Sequence, residues 1–303
     1  MRGLSDSHEW LLQTIAAFRM PTTYATLRAL AVASPPPLSL PQGRFGDLTA
    51  LDAALTELED RGLVGWDRSG NRYDLHPIVR GVVWNSLDAA RRRREVCQTL
   101  QTHFQTIEVS DFLNVTNVED LTPAIELFHA LIELGRFDDA CIVFRDRLED
   151  ATLWRLSASR LRIELVERLF PDGTDQLPRL RTPSDQSFTL NALALAYQVS
   201  GQPGAAVPLF RRACGLWEHA NEQGHLSVRL RNLSNAERLS GAVRAAEASA
   251  RSALRITREF RNEFQEAVSL VRGQARHFCR RRATTGFKFP IGEIWRASDR
   301  RRN

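Results

Sequence analysis

One stretch, residues 63–84 (LVGWDRSGNRYDLHPIVRGVVW), changes period within a few residues and so restricts what can surround it. Two short apolar segments, 63–66 and 72–75, flank Asp67-Arg68-Ser69-Gly70-Asn71. That run is rich in residues that form Asx turns and accept positive φ, which predicts a β-hairpin. His76-Pro77 then switches the period to that of a helix. Proline at the first helical position forfeits no intrahelical bond, so a helix is expected from Pro77, with Ile78, Val79, Val82 and Val83 turned inward.

Helices are expected before the hairpin. Trp10, Leu11, Ile15 and Phe18 stand at helical spacing within 7–18, and Pro21 stops that segment. A short helix follows, capped by Thr22 or Thr23, with Leu27, Leu30 and Ala31 on one side, and the Ser34-Pro35-Pro36-Pro37 run ends it. From Asp47, Leu48, Leu51, Leu55 and Leu58 form an apolar stripe; Asp52, Glu57, Glu59 and Asp60 face out, and Gly62 is placed to terminate the helix.

Composition narrows the function classes. The net charge is +5 and all but one of the 41 basic residues are arginines, Lys288 being the exception. Acids are interspersed with the arginines along most helices, so a phosphate-binding face does not follow from the charge; the clusters 91–94, 280–282 and 300–302 read as solvated faces or tail. Cys97, Cys141, Cys214 and Cys279 have no paired spacing for zinc or a redox dithiol and read as buried thiols of a reducing compartment. No apolar run approaches the roughly 20 residues of a membrane helix, nor is there a secretory leader. The expected localisation is cytoplasmic, with no membrane partner.

Three helices followed by a two-stranded hairpin is the order of a winged helix. DNA-reading versions place basic and amide side chains on the third helix. Here that helix exposes carboxylates, so nucleic acid is disfavoured as a partner. The run 51–84, with its Glu-Asp-Arg-Gly-Leu-Val helix end, its wing and Tyr-Asp-Leu-His-Pro-Ile-Val-Arg, resembles the winged-helix domain that follows the nucleotide-binding core in NB-ARC-type signal-transducing (STAND) ATPases. The resemblance covers residues 5 to about 110. It implies that a histidine at the His76 position, with Arg80 nearby, senses nucleotide state by approaching the phosphates of ADP held in a neighbouring core. The chain departs from that family in one respect: it has no GxxxxGK[ST], and its single lysine stands in Gly286-Phe287-Lys288-Phe289-Pro290.

Beyond a connecting helix carrying Val96, Cys97, Leu100, Phe104 and Ile107, a pattern repeats. An apolar helix, a glycine and a second helix with a small residue five positions on recur in LFHALIELGRFDDACIVF, LALAYQVSGQPGAAVPLF and LSNAERLSGAVRAAEASA. Gly135, Gly201 and Gly241 align on Ala140, Ala206 and Ala246, followed by Phe144, Phe210 and Ala250. This resembles the tetratricopeptide repeat, although Gly201 and Gly241 stand about 40 residues apart against the usual roughly 34. The larger gap before Gly201 is expected to hold a helix over 152–170 and a linker over 171–187, and a last helix is expected over 259–282.

The expected fold is therefore mainly α: a winged-helix domain (5–86), a connecting helix (87–119), a tetratricopeptide-like α-solenoid (120–282) and a tail (283–303). Repeat position turns Asn191, Gln198, Arg231, Asn235 and Arg238 toward a groove suited to a protein or peptide ligand. His8-Glu9 begins an H-E-x-x-H zinc motif, but residue 12 is leucine, so no metal site is expected. No catalytic residue and no cofactor are expected. The function expected is a non-enzymatic interaction and regulatory module, with an NTPase core on another chain or upstream as a possible partner. The alternative is a DNA-binding regulator with a repeat sensor.

Overall fold

A computed structural model describes residues 4–32, 45–86, 89–108, 111–220 and 223–259. The expected helix over 260–282, the tail, Cys279, Lys288 and the arginine clusters 280–282 and 300–302 lie outside the described residues. The protein is mainly helical with a small three-stranded sheet. It divides into two compact units, Met1–Leu216 and Trp217–Asn303.

The first unit begins with α1 (Asp6–Ala17), whose first N–H groups are met by Ser5, accepting from His8 N–H at 3.4 Å. Thr23 caps α2 (Tyr24–Ala31) and Asp47 caps α3 (Leu48–Asp60) in the same way. The hairpin forms as expected from β2 (Gly65–Asp67) and β3 (Arg72–Asp74). A third strand, β1 (Thr22–Thr23), pairs antiparallel with β3 through Thr22↔Tyr73 and Thr23↔Arg72, giving the order β1-β3-β2. Two residues carry no readable alternation, which is why the sequence did not announce it. Leu11, Leu12, Ile15, Leu27, Leu51, Leu58 and Leu75 fill the core between these elements. Each such side chain contributes on the order of 1.5–3 kcal/mol of transfer free energy.

Helix α4 (Pro77–Ser86) starts at the expected proline, but its burial corrects the expectation. Val83 is buried and Val79 packs on the core, whereas Ile78 is 70% and Val82 61% exposed. Residues 78 and 82 share one stripe, and 79 and 83 share another about 100° round the helix. Only the second stripe faces the core. The connecting helix α5 (Ala89–Gln105) buries Val96, Cys97, Leu100 and Phe104, and ends before Ile107.

Helices α6 (Thr122–Glu133) and α7 (Phe137–Val143) form the first hairpin of the helical region. The chain runs on from α7 through π-helical turns at Phe144–Leu148 and Ala151–Arg155, breaks at Ser157 (φ 49°) and resumes as α8 (Ser159–Glu167). The single helix expected over 152–170 is thus two pieces. Arg162, 0% exposed, explains the break: it donates to the Glu149 carbonyl at 2.9 Å and the Ala192 carbonyl at 3.3 Å, pairs with the Glu149 carboxylate at 3.1 Å and lies over Phe144. After an irregular segment, α9 (Pro183–Val199) begins inside the expected linker 171–187, and α10 (Pro203–Ala220) completes the second hairpin. In the other unit α11 (Gln223–Leu239) and α12 (Val243–Glu259) pack on each other as a third hairpin.

One turn recurs in all three. Gly135, Gly201 and Gly241 have φ of 72°, 79° and 85°. In each, the glycine N–H meets the carbonyl three residues back (Ile132, Gln198, Arg238), and the next N–H meets the carbonyl five back (Leu131, Tyr197, Glu237), at 2.8–3.2 Å. This is the Schellman arrangement, which needs a left-handed residue and closes the helix end. Ala140, Ala206 and Ala246 are buried beyond it, as are Phe144 and Phe210. No helix among the described residues is long and apolar enough to cross a membrane.

Candidate functional site

The Asp74-Leu75-His76-Pro77 link joins β3 to α4 and sets the geometry around His76. Leu75 anchors it in the core, and His76 and Pro77 lie at the surface. The His76 ring bends back on its own helix start, where Nδ1 accepts the Ile78 N–H at 3.3 Å. A nitrogen that accepts cannot carry the proton, so in the neutral ring the hydrogen belongs to Nε2, which is turned outward as a donor.

Arg80 stands one turn on and is engaged rather than free. Its guanidinium donates to the Phe18 carbonyl at the end of α1 and to Asp74 Oδ1 on β3. The Arg80 N–H also donates to the His76 carbonyl at 2.9 Å, closing the first turn of α4. Arg80 therefore positions the His76 turn against α1 and the sheet. Beside it opens a cleft of about 430 Å³ lined by Ala16, Arg19, Asp74, Leu75, Pro77, Arg80, Gly81 and Trp84. Arg93 closes on the end of α4, donating to the Trp84 carbonyl at 3.1 Å with its guanidinium 5.4 Å from the indole centre.

The segment gripped by Arg80 is gripped again from the other side. Glu126 of α6, 1% exposed, accepts the Arg19 N–H at 2.9 Å and the Met20 N–H at 2.8 Å. About two turns along the same face of α6, Glu133 pairs with the Arg19 guanidinium at 3.3 Å. Burial pushes the Glu126 carboxyl up to about 7, against the opposing pull of the Met20 and Arg19 N–H groups and the Arg19 and Arg80 charges. Arg19 also borders a second cleft of about 480 Å³ with His129, Leu161, Glu164, Leu165, Glu167 and Arg168. Burial, then the Arg19 and Arg168 charges, hold His129 well below its ordinary value, so this ring is neutral. Residues 18–20 thus join α4, and with it His76, to α6 of the first helical hairpin.

Glu126 and Arg19 were not singled out from the sequence. A signal existed: Glu126 is a lone charge in the apolar run Ala124-Ile125-Glu126-Leu127-Phe128. A charge there needs a buried partner, but the partner is a pair of backbone N–H groups, which leave no mark in a sequence.

The residues assigned to a groove fall in two units. In the first, Asn191 is 5% exposed and Gln198 is half-buried, with its Oε1 enclosed and unmatched among the described residues. In the second, Arg231 and Asn235 are half-buried and Arg238 is exposed, donating to Asn235 Oδ1 at 2.9 Å. Among the described residues no three or more His, Cys, Asp or Glu side chains are grouped to hold a metal ion.

No family model and no curated protein matches the chain. Among solved structures it is similar to a signal transduction ATPase with numerous domains (STAND) protein with a tetratricopeptide repeat sensor from Pyrococcus horikoshii. The identity is 12% and the TM-score 0.35, over 89% of this chain and 53% of that one. The chain therefore spans about half the length of that protein.

Proposed function

We propose that the protein is a non-enzymatic interaction and regulatory module. In this reading residues 5–86 are a winged helix and residues 120–282 a tetratricopeptide-like array that takes a protein or peptide. The winged helix presents His76 to a nucleotide-binding core supplied by another chain or by an upstream region, in the cytoplasm. The carrying observation is the double grip on residues 18–20, by Arg80 from the His76 side and Glu126 from the helical side. A shift of α6 on ligand binding would be passed to α4 through the Glu126 carboxylate, the backbone of residues 18–20 and the Arg80 guanidinium. His76, exposed at the surface, offers a ring nitrogen as a donor to a phosphate oxygen, and Arg80 fixes the position of its turn.

The DNA-reading alternative is disfavoured by α3, where Asp52 and Asp60 are exposed and Glu57 and Glu59 half-buried. A salt titration against duplex DNA separates the two: steep salt-dependent affinity favours the regulator, and no binding at low salt removes it. For the proposed reading, the test starts from the genomic sequence next to this chain, which should encode a P-loop ATPase, and follows release of fluorescent ADP from that protein. The chain should slow release and His76→Ala should abolish the slowing; an unchanged rate with either protein would contradict the reading.

A further inference from the structure

Residues of α2, α3 and the hairpin line a pocket of about 360 Å³: Tyr24, Asp52, Leu55, Thr56, Glu59, Trp66, Asn71 and Tyr73. Its size lies at the small end of the roughly 300–1,000 Å³ of ligand pockets, enough for one long side chain. Three of the lining residues are aromatic and two are carboxylates; no basic residue lines it.

The rings are held, not loose. Trp66 and Tyr73 stack at 3° with centroids 6.0 Å apart, and Tyr24 lies 6.5 Å from Tyr73 at 43°. Trp66 Nε1 donates to Asn71 Oδ1 at 3.1 Å, and the Tyr24 hydroxyl donates to Asp52 Oδ1 at 2.6 Å. The acids of α3 are unequally engaged. Glu57 is taken up by His8 at 3.0 Å and Arg61 at 2.5 Å, Asp52 by Tyr24 through one oxygen, and Glu59 has no ion pair among the described residues. The carboxylates act on the pocket itself: the hydrogen bond to Asp52, then burial, raise the Tyr24 phenol to about 12, and burial, Asp52 and Glu59 raise Tyr73. Arg28 is close enough to pull Tyr24 the other way, more weakly than Asp52.

We propose that this pocket is a docking site for an arginine side chain presented by a partner protein. A planar guanidinium can lie against aromatic walls while forking a carboxylate, a combination an ammonium makes less well. Arg68 already places its guanidinium 5.1 Å from the Trp66 ring centre, so this indole accepts that geometry. Asp52 and Glu59 disfavour a phosphate in the pocket itself. The occupant reads the hairpin side of the first unit, independently of His76, and the proposal stands whether or not a nucleotide-binding core is the protein's other partner.

The test is a titration of the full ¹⁵N-labelled chain, following the Trp66 indole N–H signal, identified by its loss in Trp66→Phe. The probes are acetyl-Gly-Arg-Gly-amide, the same peptide with citrulline, and ethylguanidinium. The arginine peptide is expected to shift the signal saturably, with the citrulline peptide at least about tenfold weaker. Glu59→Gln should weaken binding by about fivefold, and Thr56→Arg, which sets a cation at the mouth, should abolish it. The proposal is overturned if the arginine peptide gives no saturable shift at millimolar concentration, if citrulline binds equally, or if both folded variants bind as the parent does. Ethylguanidinium matching the peptide would assign the pocket to a small cation and overturn the protein partner.

Discussion

Arg162 is the residue on which the middle of the chain depends most. Its guanidinium is fully enclosed and meets the Glu149 carboxylate and two carbonyls that the π-helical turns and α9 leave turned toward it. Burial pulls its pKa down while Glu149 holds it up, and the charge persists because each donor face is answered. Arg162→Ala should therefore cost about 3–5 kcal/mol in urea unfolding, because it removes the buried guanidinium that pairs with the Glu149 carboxylate and donates to two carbonyls. Glu126 makes the opposite case. The Glu126 carboxyl ordinarily titrates near 4.5, and burial raises it to about 7 in the folded protein. Between those values the folded state holds the extra proton, so stability falls as pH rises through them. The effect is on the order of 3 kcal/mol. Unfolding midpoints compared at pH 4.5 and pH 8 should show this loss in the parent and a flatter profile in Glu126→Gln.

Among the elements, the Schellman turns were legible and the sheet edge was not. The three glycines stand out because only glycine takes φ near 72–85° without strain. A Cβ at Gly135, Gly201 or Gly241 would meet nothing within 4 Å. Each Gly→Ala change should then cost only the backbone strain, about 1 kcal/mol, with no packing penalty. Helix α4 shows where pattern reading fails. Two apolar stripes are equivalent by hydrophobicity, and only packing tells which is buried. Accordingly Val83→Asp should cost several kcal/mol, whereas Ile78→Asp and Val82→Asp should stay within about 0.5 kcal/mol in the same denaturation assay. The break at Ser157 was illegible for a related reason: apolar spacing on both sides suits one helix, and the buried Arg162 that interrupts it looks like any other arginine.

At the scale of the molecule, the candidate site was half legible. His76, Pro77 and Arg80 could be marked because turn and helix-start chemistry is local, and the structure puts them on one short link. The residues that tie that link to the helical hairpins, Phe18 to Met20 and Glu126, meet through backbone groups on one side and a carboxylate about 106 positions away on the other, a distance no local pattern spans. In the proposed function α6 and the His76 turn move as one. Hydrogen exchange of the full chain against Glu126→Ala tests this directly, with the amides of 223–259 as the internal standard for unchanged global stability. Faster exchange is expected at residues 18–20 and on to 76–84, with 223–259 as in the parent. Faster exchange confined to residues 18–20 and α6, with 76–84 unchanged, would contradict it.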